Sequence, residues 1–369
     1  MQNNSEKLNV AVVGVGALGR HHARILSQLP GVNLVAVADA NQEQGTAVAA
    51  SCGCDWTPDY RTVLSGVDAV SIVVPTTLHR PIAEDFLCRS IPVLVEKPLT
   101  ANVDDGHLLV RLAREHGVPL QVGHIERFNP AFEILAEQVG SPKYIRGERV
   151  SPYAFRSMDI GAVLDLMIHD IELTLALTGE LPVRVEAFGT SLVGGNEDCV
   201  QARLFFPGGC IADLTANRVA PHFSRTMQAW SDRGCFTADF TARTVTSMTP
   251  TSAMLNGELP FELVRNGICT AAELKPEIFN RFIQKTEVNG SDADALTAEL
   301  SAFIQCVRTG ATPRVSGAQG VAALGVADQI LTAVRNHQWD GNAAGRCGPN
   351  ALLQTHLSED LPVVIRTAA

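Results

Sequence analysis

Several features that mark particular classes of protein are missing from this sequence. Basic residues occur singly or in isolated pairs, and the net charge is −10, which argues against a nucleic-acid surface. No apolar run approaches the roughly 18 residues of a membrane span. Residues 1–9 are polar, and the apolar residues after them are too few for an export signal. We therefore expect a cytoplasmic protein.

The cysteine and tyrosine patterns argue against two kinds of catalytic site. The 9 cysteines, an odd number, are scattered without a Cys-x-x-Cys pair, so we expect free thiols and no zinc site. The three tyrosines are followed four positions later by Leu64, Glu148 and Ser157, so the Tyr-x-x-x-Lys motif of short-chain dehydrogenases is absent. The remaining composition, 46% hydrophobic and 18% charged over 369 residues, fits a globular protein with two domains.

A glycine-rich turn organises the first part of the chain. An apolar run of strand length, residues 9–13, leads into Gly14-x-Gly16-x-x-Gly19 and then into an amphipathic segment, residues 21–29. This order of strand, turn and helix is typical of a dinucleotide site. The first glycine permits the tight turn, the second lets backbone N–H groups approach a pyrophosphate, and the third lets the helix lie close to the strand.

The residues around this turn predict which cofactor binds. Ala17 and Leu18 complete the turn at the start of the helix, where unpaired N–H groups favour phosphate. A second strand, residues 34–38, ends at Asp39, 20 residues past Gly19, where a carboxylate can bind the adenine ribose. Residues 40–44 offer no cation for a 2′-phosphate, so NAD is favoured over NADP.

Strands and helices alternate through the first third of the chain. Further strands are predicted at 68–75, 93–98 and 120–123, and helices at 40–51, 81–90 and 103–116. This alternation without hairpin turns predicts an α/β domain with a doubly wound parallel sheet that ends near Gly123. We assign NAD binding to residues 1–123.

The pattern changes beyond Gly123. A helix is predicted from Asn129 to about residue 139, and hairpin turns with glycine then separate strands that form an antiparallel meander. These strands are predicted at 183–192, 200–206, 210–219, 227–231 and 235–240, with helices at 294–308 and 317–336 and a tail strand at 361–365. Residues 124–369 are thus predicted to form an α+β domain that binds the substrate.

Two loops follow strands of the first domain at the carboxyl edge, where ligands bind in such sheets. In the loop Val74-Pro75-Thr76-Thr77-Leu78-His79, the candidate cofactor contacts are Pro75, Thr76 and His79, although a polar loop without a binding role explains each residue equally well. In the second loop, Glu96 and Lys97 end a buried strand before Pro98. A lysine held at that place is poorly explained as a solubilising charge, so a functional role is favoured.

One helix of the second domain, predicted over residues 161–178, carries charged groups in apolar surroundings. Asp165 and His169 are four residues apart and therefore share one face of an α-helix. A buried carboxylate and imidazole are costly unless they pair with each other or meet a ligand. A structural pair and a catalytic pair are equally good explanations, and Glu172 either joins the pair or faces solvent.

With these residues in hand, the chain resembles the Gfo/Idh/MocA oxidoreductase family over nearly its whole length. The matching features are the glycine turn with His22, Asp39, Val74-Pro75-x-x-x-His79, Glu96-Lys97-Pro98 and Asp165-x-x-x-His169. The resemblance implies a Rossmann domain followed by a large, mostly antiparallel open sheet that mediates homodimers or homotetramers. It also implies oxidation or reduction of sugars or cyclitols with NAD(P).

A narrower likeness concerns residues 122–131 and 159–170, which resemble the UDP-N-acetylglucosamine 3-dehydrogenase branch of the family. The substrate implied is a sugar oxidised at C3. These motifs lie near the sugar and leave open whether it carries a nucleotide, so a free polyol such as myo-inositol, or glucose, is an alternative. A non-catalytic, cofactor-bound regulator is disfavoured by the presence of both Lys97 and His169.

The predicted roles concern the oxidation of a secondary ring alcohol. His169 is the general base, because a neutral imidazole can accept the hydroxyl proton near pH 7. Lys97 stabilises the developing alkoxide, and Asp165 orients the pair. Lys97 and His169 could exchange roles, since a desolvated lysine can lose its proton near neutrality. Further candidate substrate contacts are Arg127 and Arg156 for a diphosphate, and Asn129, which could equally be a helix cap.

Overall fold

The computed structural model describes residues 7–155, 160–193 and 195–353, which fall into two compact units. Unit 1 comprises Met1–Ile134 and Gly290–Gly325, and unit 2 comprises Leu135–Asn289 and Val326–Ala369. Arg156 and the predicted tail strand at 361–365 lie outside the described residues. The assignment of NAD binding to residues 1–123 and of substrate binding to residues 124–369 stays a prediction.

Unit 1 contains a six-stranded sheet in the order β3-β2-β1-β4-β5-β6, with every pair parallel. The strands are β1 Leu8–Val13, β2 Val32–Ala38, β3 Asp55–Thr57, β4 Ala69–Ile72, β5 Val93–Glu96 and β6 Leu120–Gly123. The doubly wound parallel sheet is thereby confirmed. The strand order reverses direction between β1 and β4, which is where such sheets bind ligands, beyond the carboxyl ends of the strands.

The helices that connect these strands match the sequence patterns closely. They are α1 Gly19–Gln28, α2 Gln42–Cys52, α3 His79–Leu87 and α4 Val103–Glu115. Asn41 and Asn102 cap α2 and α4 by accepting backbone N–H groups three residues later. One prediction was wrong in detail, because β4 ends at Ile72, before Pro75. One strand was missed, because the three-residue β3 is too short to show a period.

Unit 1 is completed by segments from further along the chain. A 3₁₀ turn, Ile125–Phe128, precedes α5 Pro130–Val139. Helix α10, Ala295–Thr309, buries Leu300 and Phe303 in the core that includes β1. This helix was predicted in the second domain, whereas its apolar face packs in unit 1. Helix α11, Gly317–Asn336, has the predicted bounds, and the division between the units falls within it, after Gly325.

Unit 2 contains an eight-stranded sheet in the order β14-β13-β12-β11-β7-β10-β9-β8. The strands are β7 Tyr144–Val150, β8 Arg184–Thr190, β9 Cys199–Phe205, β10 Ile211–Asn217, β11 Ser224–Ser231, β12 Gly234–Asp239, β13 Thr244–Pro250 and β14 Ile283–Asn289. The mostly antiparallel sheet is confirmed. The simple meander was wrong, because β7 lies between β10 and β11 and pairs with β10 in parallel.

One face of this sheet is apolar and covered. Alternate residues of β9 and β10, such as Val200, Ala202 and Leu214, are buried, and α6, Ile168–Thr178, contacts β7 and β10. Short helices that the sequence did not predict lie between β13 and β14, namely α7 Ser252–Leu255, α8 Pro260–Arg265 and α9 Ala271–Leu274. Among the helices of the described segments, none is long and apolar enough to cross a membrane.

Candidate active site

The glycine turn after β1 has the geometry that a dinucleotide site requires. Gly14 has φ +84°, and a Cβ there would overlap the carbonyl oxygen of Val73. A Cβ at Gly19 would overlap the carbonyl oxygen of Gly14, so the start of α1 packs directly on the turn. At Gly16 a Cβ would meet nothing within 4 Å, which leaves the outer side of the turn open for a ligand. The turn therefore fits a pyrophosphate.

The N-terminus of α1 is suited to an anion. The helix lies wholly within the described residues, and neither a side-chain cap nor an acidic residue is present in its first turn. The positive end of its dipole therefore meets no carboxylate from the helix's own first turn, which favours an anion there. Ala17 and Leu18 lie in this turn, as the fingerprint predicted.

Asp39 follows β2 and does more than the sequence indicated. Its Oδ2 accepts the N–H of Val15 at 2.8 Å and the side-chain amide of Gln44 at 3.2 Å. Its Oδ1 accepts the N–H of Asn41 at 2.8 Å. The carboxylate thus links the end of β2 to the glycine turn, and it holds a fixed orientation before any ribose hydroxyl is bound.

A groove of about 470 Å³ lies beside these residues. Gly14, Gly16, Asp39 and Pro75 line it, and so does Arg61, which the sequence analysis did not consider. Arg61 is exposed and lies 3.4 Å from the carboxylate of Asp59. Because β3 and the 3₁₀ turn Tyr60–Val63 bring it there from beyond residues 40–44, no local motif could have revealed it.

His79 is buried, and its imidazole connects two loops of unit 1. Nδ1 lies 2.8 Å from the carbonyl oxygen of Pro98, and Nε2 lies 2.8 Å from that of Val74. Burial lowers the pKa of His79, while the two carbonyls and Glu96 act in the opposite direction. The side chain thus holds the loop after β4 against the loop after β5. Its predicted contact with the cofactor, like that of Thr76, stays a prediction.

Glu96 and Lys97 stand at the carboxyl end of β5, on the same edge of the parallel sheet as the glycine turn, with β4 between β1 and β5. Lys97 is half-buried, and its backbone N–H donates to Oε2 of Glu96 at 3.1 Å. Oε1 of Glu96 lies 3.3 Å from Nε2 of His22, which is on α1. Glu96 is therefore held within unit 1, and Lys97 is presented at the edge where ligands bind.

The segment after β6 adds buried polar groups near Lys97. Burial lowers the pKa of His124 to about 3, and the charges of Lys97 and Arg127 act in the same direction. His124 is therefore a neutral imidazole near neutral pH. Asn129 donates to Glu126 at 3.0 Å and accepts the N–H of Ala131 at 3.0 Å, as a residue that starts α5 should.

In unit 2, the segment that carries Asp165 is not an α-helix. Val163–Met167 is a π-helix, and α6 continues from it. The prediction of one continuous α-helix over residues 161–178 was therefore wrong, whereas the shared face of Asp165 and His169 stays a prediction. Asp165 is buried and His169 is half-buried. Glu172 is also buried, which excludes the alternative that it faces solvent.

A buried carboxylate holds the start of this π-helix. Glu197 is 6% exposed, and Oε1 accepts the N–H of Val163 at 3.1 Å. The carbonyl of Glu197 accepts the N–H of Ala162 at 2.9 Å. A Cβ at Gly161 would overlap this carboxylate. Burial raises the pKa of Glu197, and the bond from Val163 offsets part of that effect.

Two buried ion pairs surround the same segment. Arg218 donates to Oδ1 of Asp198 at 2.7 Å and to the carbonyl oxygen of Ile160 at 2.6 Å. Arg149, on β7, pairs with Asp170 of α6 at 2.8 Å, and both side chains are buried. On β7, Gly147 has no side chain and so leaves room for Asp170 of α6. These pairs fix both the entry to the π-helix and the first turn of α6, and sequence reasoning missed all of them.

The predicted site residues thus form two groups. Unit 1 holds the glycine turn, Asp39, Glu96, Lys97 and the segment after β6, and unit 2 holds Asp165 and His169. NAD supplies the hydride-accepting chemistry of such a site when bound. The residues that would hold it are the glycine turn and Asp39, which fit its pyrophosphate and its ribose.

Comparisons with protein families support this chemistry. Residues 8–124 match the model described as "Oxidoreductase family, NAD-binding Rossmann fold", and residues 134–237 match the GFO/IDH/MocA C-terminal domain. These two matches cover more than half of the chain and fall on the N-terminal sheet and on the larger sheet, respectively.

Individual relatives extend over most of the chain. UDP-N-acetylglucosamine 3-dehydrogenase of Acidithiobacillus ferrooxidans is 34% identical over 89% of this chain and 97% of its own length. Its solved structure has a TM-score of 0.79, with 32% identity over 89% of this chain and 97% of that chain. NAD-dependent scyllo-inositol 2-dehydrogenase of Bacillus subtilis is 27% identical over 89% of this chain and 95% of its own length.

The cofactor fingerprint, the two matched domains and the named relatives lead to one assignment. The glycine turn and Asp39 fit the pyrophosphate and the adenine ribose of NAD, and the relatives are named as dehydrogenases of a sugar nucleotide and of an inositol. The chain belongs to the Gfo/Idh/MocA oxidoreductase family and is an NAD-dependent dehydrogenase of a sugar or polyol hydroxyl.

Proposed function

We propose that this enzyme oxidises the C3 hydroxyl of UDP-N-acetylglucosamine to the 3-keto sugar. The observation that carries the proposal is the position of Lys97, half-buried at the carboxyl end of β5, on the same sheet edge as the glycine turn. The choice of sugar is supported by the Acidithiobacillus ferrooxidans relative of that name, which matches 89% of the chain.

The residues would act in turn on the substrate alcohol. His169 accepts the hydroxyl proton, and the ammonium of Lys97 stabilises the alkoxide that develops on the same oxygen. Asp165, buried on the π-helix, orients this pair. In the alternative form of the proposal the two roles are exchanged: Lys97 accepts the hydroxyl proton, and His169 stabilises the alkoxide.

A nucleotide sugar also needs cations for its diphosphate, and Arg127 is the described candidate. Its guanidinium lies 5.7 Å from the ring centroid of Phe132, and its side chain is half-buried. The ring holds the guanidinium in place by a cation–π contact, which favours one orientation of its donors. Arg156 and Asn129 remain further candidates for substrate contact.

Self-association through the sheet of unit 2 belongs to the same proposal. On the face opposite the apolar core, Tyr144, Arg146, Phe188 and Arg203 line a groove of about 710 Å³, and Trp230 is exposed beside Tyr144. Such an open face of mixed aromatic and charged residues suits a second copy of the chain, giving a homodimer or homotetramer. Light scattering on the purified protein measures this directly.

The test of the substrate is a comparison of ligands in the presence of NAD. We expect UDP-N-acetylglucosamine to bind and to produce reduced nicotinamide, and we expect N-acetylglucosamine without the nucleotide to be a poor substrate. The second candidate is an inositol, favoured by the Bacillus subtilis relative. Turnover of myo- or scyllo-inositol, with none of the nucleotide sugar, would replace the first candidate by the second. Binding of NAD without turnover of either class would instead favour the regulator.

A further inference from the structure

A cluster of three buried polar side chains lies in the middle of unit 1, behind the predicted cofactor site. His22 of α1 is 0% exposed, Ser71 of β4 is 0% exposed and Glu96 of β5 is 7% exposed. Nδ1 of His22 lies 2.9 Å from Oγ of Ser71, and its Nε2 lies 3.3 Å from Oε1 of Glu96. The second separation is that of an ion pair rather than of a well-aligned hydrogen bond.

This cluster is expensive for a core position. Moving a carboxylate out of water costs several kcal/mol unless partners compensate for it, and an apolar side chain would fill the same space at no such cost. Secondary structure does not require it either, since α1 and β4 could pack through apolar residues alone. The cluster therefore needs an explanation beyond the stability of the sheet.

The carboxylate of Glu96 is held in place by three neighbours, namely His22, the backbone of Lys97 and Gly123. Oε1 faces the His22 imidazole, and Oε2 accepts the backbone N–H of Lys97 at 3.1 Å. Gly123, the register partner of Glu96 on β6, would place a Cβ 2.7 Å from Oε1. Any residue other than glycine would push the carboxylate away. The position of Glu96 is thus set by His22 and Gly123, and it sets the backbone of Lys97 in turn.

We propose that His22 is a positioning residue for Lys97 and acts through the Glu96 carboxylate. His22 lies near the start of α1, whose N-terminus would hold the pyrophosphate, so one side chain ties the cofactor-binding helix to the residue that would hold the substrate oxygen. This inference rests on the proposed function, in which Lys97 touches the reacting alcohol. A displacement of Lys97 by about 1 Å would cost on the order of 10²-fold in turnover.

The experiment compares His22→Leu and His22→Gln in the wild-type and Lys97→Met backgrounds. We expect His22→Leu to lower kcat by about tenfold or more, because the carboxylate loses its polar partner and shifts, while the Kd for NAD stays within about threefold. His22→Gln should recover most of the loss, because its amide can face both Ser71 and Glu96. In the Lys97→Met background His22→Leu should change the rate by less than about twofold, since coupled residues are not additive.

Thermal unfolding separates positioning from folding. Leucine leaves the buried Glu96 carboxylate and Ser71 hydroxyl without their imidazole partner, so the Tm of His22→Leu should fall, and rates are compared below that Tm, where the variant is folded. If His22→Leu does not fold, Glu96→Gln, which has the same size, takes its place in the same comparison.

Two results would overturn the inference. One is a kcat for His22→Leu within about twofold of the wild-type value, and the other is an equal loss in both backgrounds, which would make the effect structural. Rates are measured in single turnover with enzyme in excess, so that the slow Lys97→Met reaction is still readable. Failure of the proposed function shows separately, because Lys97→Met alone would then keep near-normal turnover.

Discussion

The carboxylate of Glu197 accepts the backbone N–H of Val163 at 3.1 Å, and it does so from a buried position against Gly161. Glu197, which lies just before β9, thereby caps the π-helix that carries Asp165. π-Helical turns are rare, and they occur often at functional sites. The contact thus connects the geometry of the predicted catalytic segment to a residue far from it in the sequence.

Gly161→Ala should disturb this contact directly. The added Cβ would overlap the Glu197 carboxylate, which must move and give up its bond to Val163. We expect a loss of about 1–3 kcal/mol in the free energy of unfolding, as for other overpacked sites, together with a lower kcat. Gly66→Ala is the matched control, since its Cβ would meet nothing within 4 Å. Denaturant unfolding of both variants measures the difference, and equal stability of the two would contradict the prediction.

Lys97→Met and His169→Ala should each lower turnover by at least about 10²-fold, the low end for the loss of an acid–base group. NAD binding should persist in both, because the glycine turn and Asp39 are unchanged. Fluorescence titration with NAD and steady-state assays separate the two quantities. The exposed residues Lys143 and His222 provide controls of the same type, as Lys143→Met and His222→Ala. Near-normal turnover in Lys97→Met and His169→Ala would end the catalytic assignment.

Asp39→Asn should weaken the preference for NAD over NADP. The amide oxygen can still accept the N–H of Val15, but the charge that repels a 2′-phosphate is gone, and Arg61 lines the same groove. We expect the ratio of kcat/KM for NADP to that for NAD to rise by about 10-fold to 100-fold. Adding Arg61→Ala should reverse most of this rise. A ratio that is insensitive to Arg61 would show that its cation does not reach the 2′ position.

His124 should make unit 1 sensitive to acid. Burial lowers the pKa of His124 in the folded protein from 6.5 to about 3, so the unfolded chain binds the proton more readily. Its contribution to stability is therefore complete above pH 6.5 and is lost as the pH falls below it, by at most about 1.4 kcal/mol per pH unit. His124→Gln should flatten the decline between pH 6.5 and 5 in urea unfolding. His21→Gln, at an exposed histidine, should not.

Much of unit 1 follows from local sequence. Apolar runs at the centre of a parallel sheet are buried on both faces, so β1 and β5 are recognisable without any partner. A side chain at Gly14 or Gly19 would overlap a carbonyl oxygen, so only glycine fits there, and the end of β2 is marked by Asp39. Hydrophobic periodicity and helix-capping residues are properties of short segments. The order of helices and strands and the cofactor turn could therefore be predicted from the sequence.

Contacts between distant segments could be known only from the tertiary structure. Arg61 lines the same groove as Asp39 because β3 pairs with β2. Helix α10 shares a hydrophobic core with β1, although the whole sheet of unit 2 lies between them in the sequence. The π-helix at Val163–Met167 reads as an α-helix in the sequence, since its apolar residues suit either period. Buried hydrogen bonds and ion pairs hold this segment and the first turn of α6, and the burial that makes them strong exists only once the chain has folded.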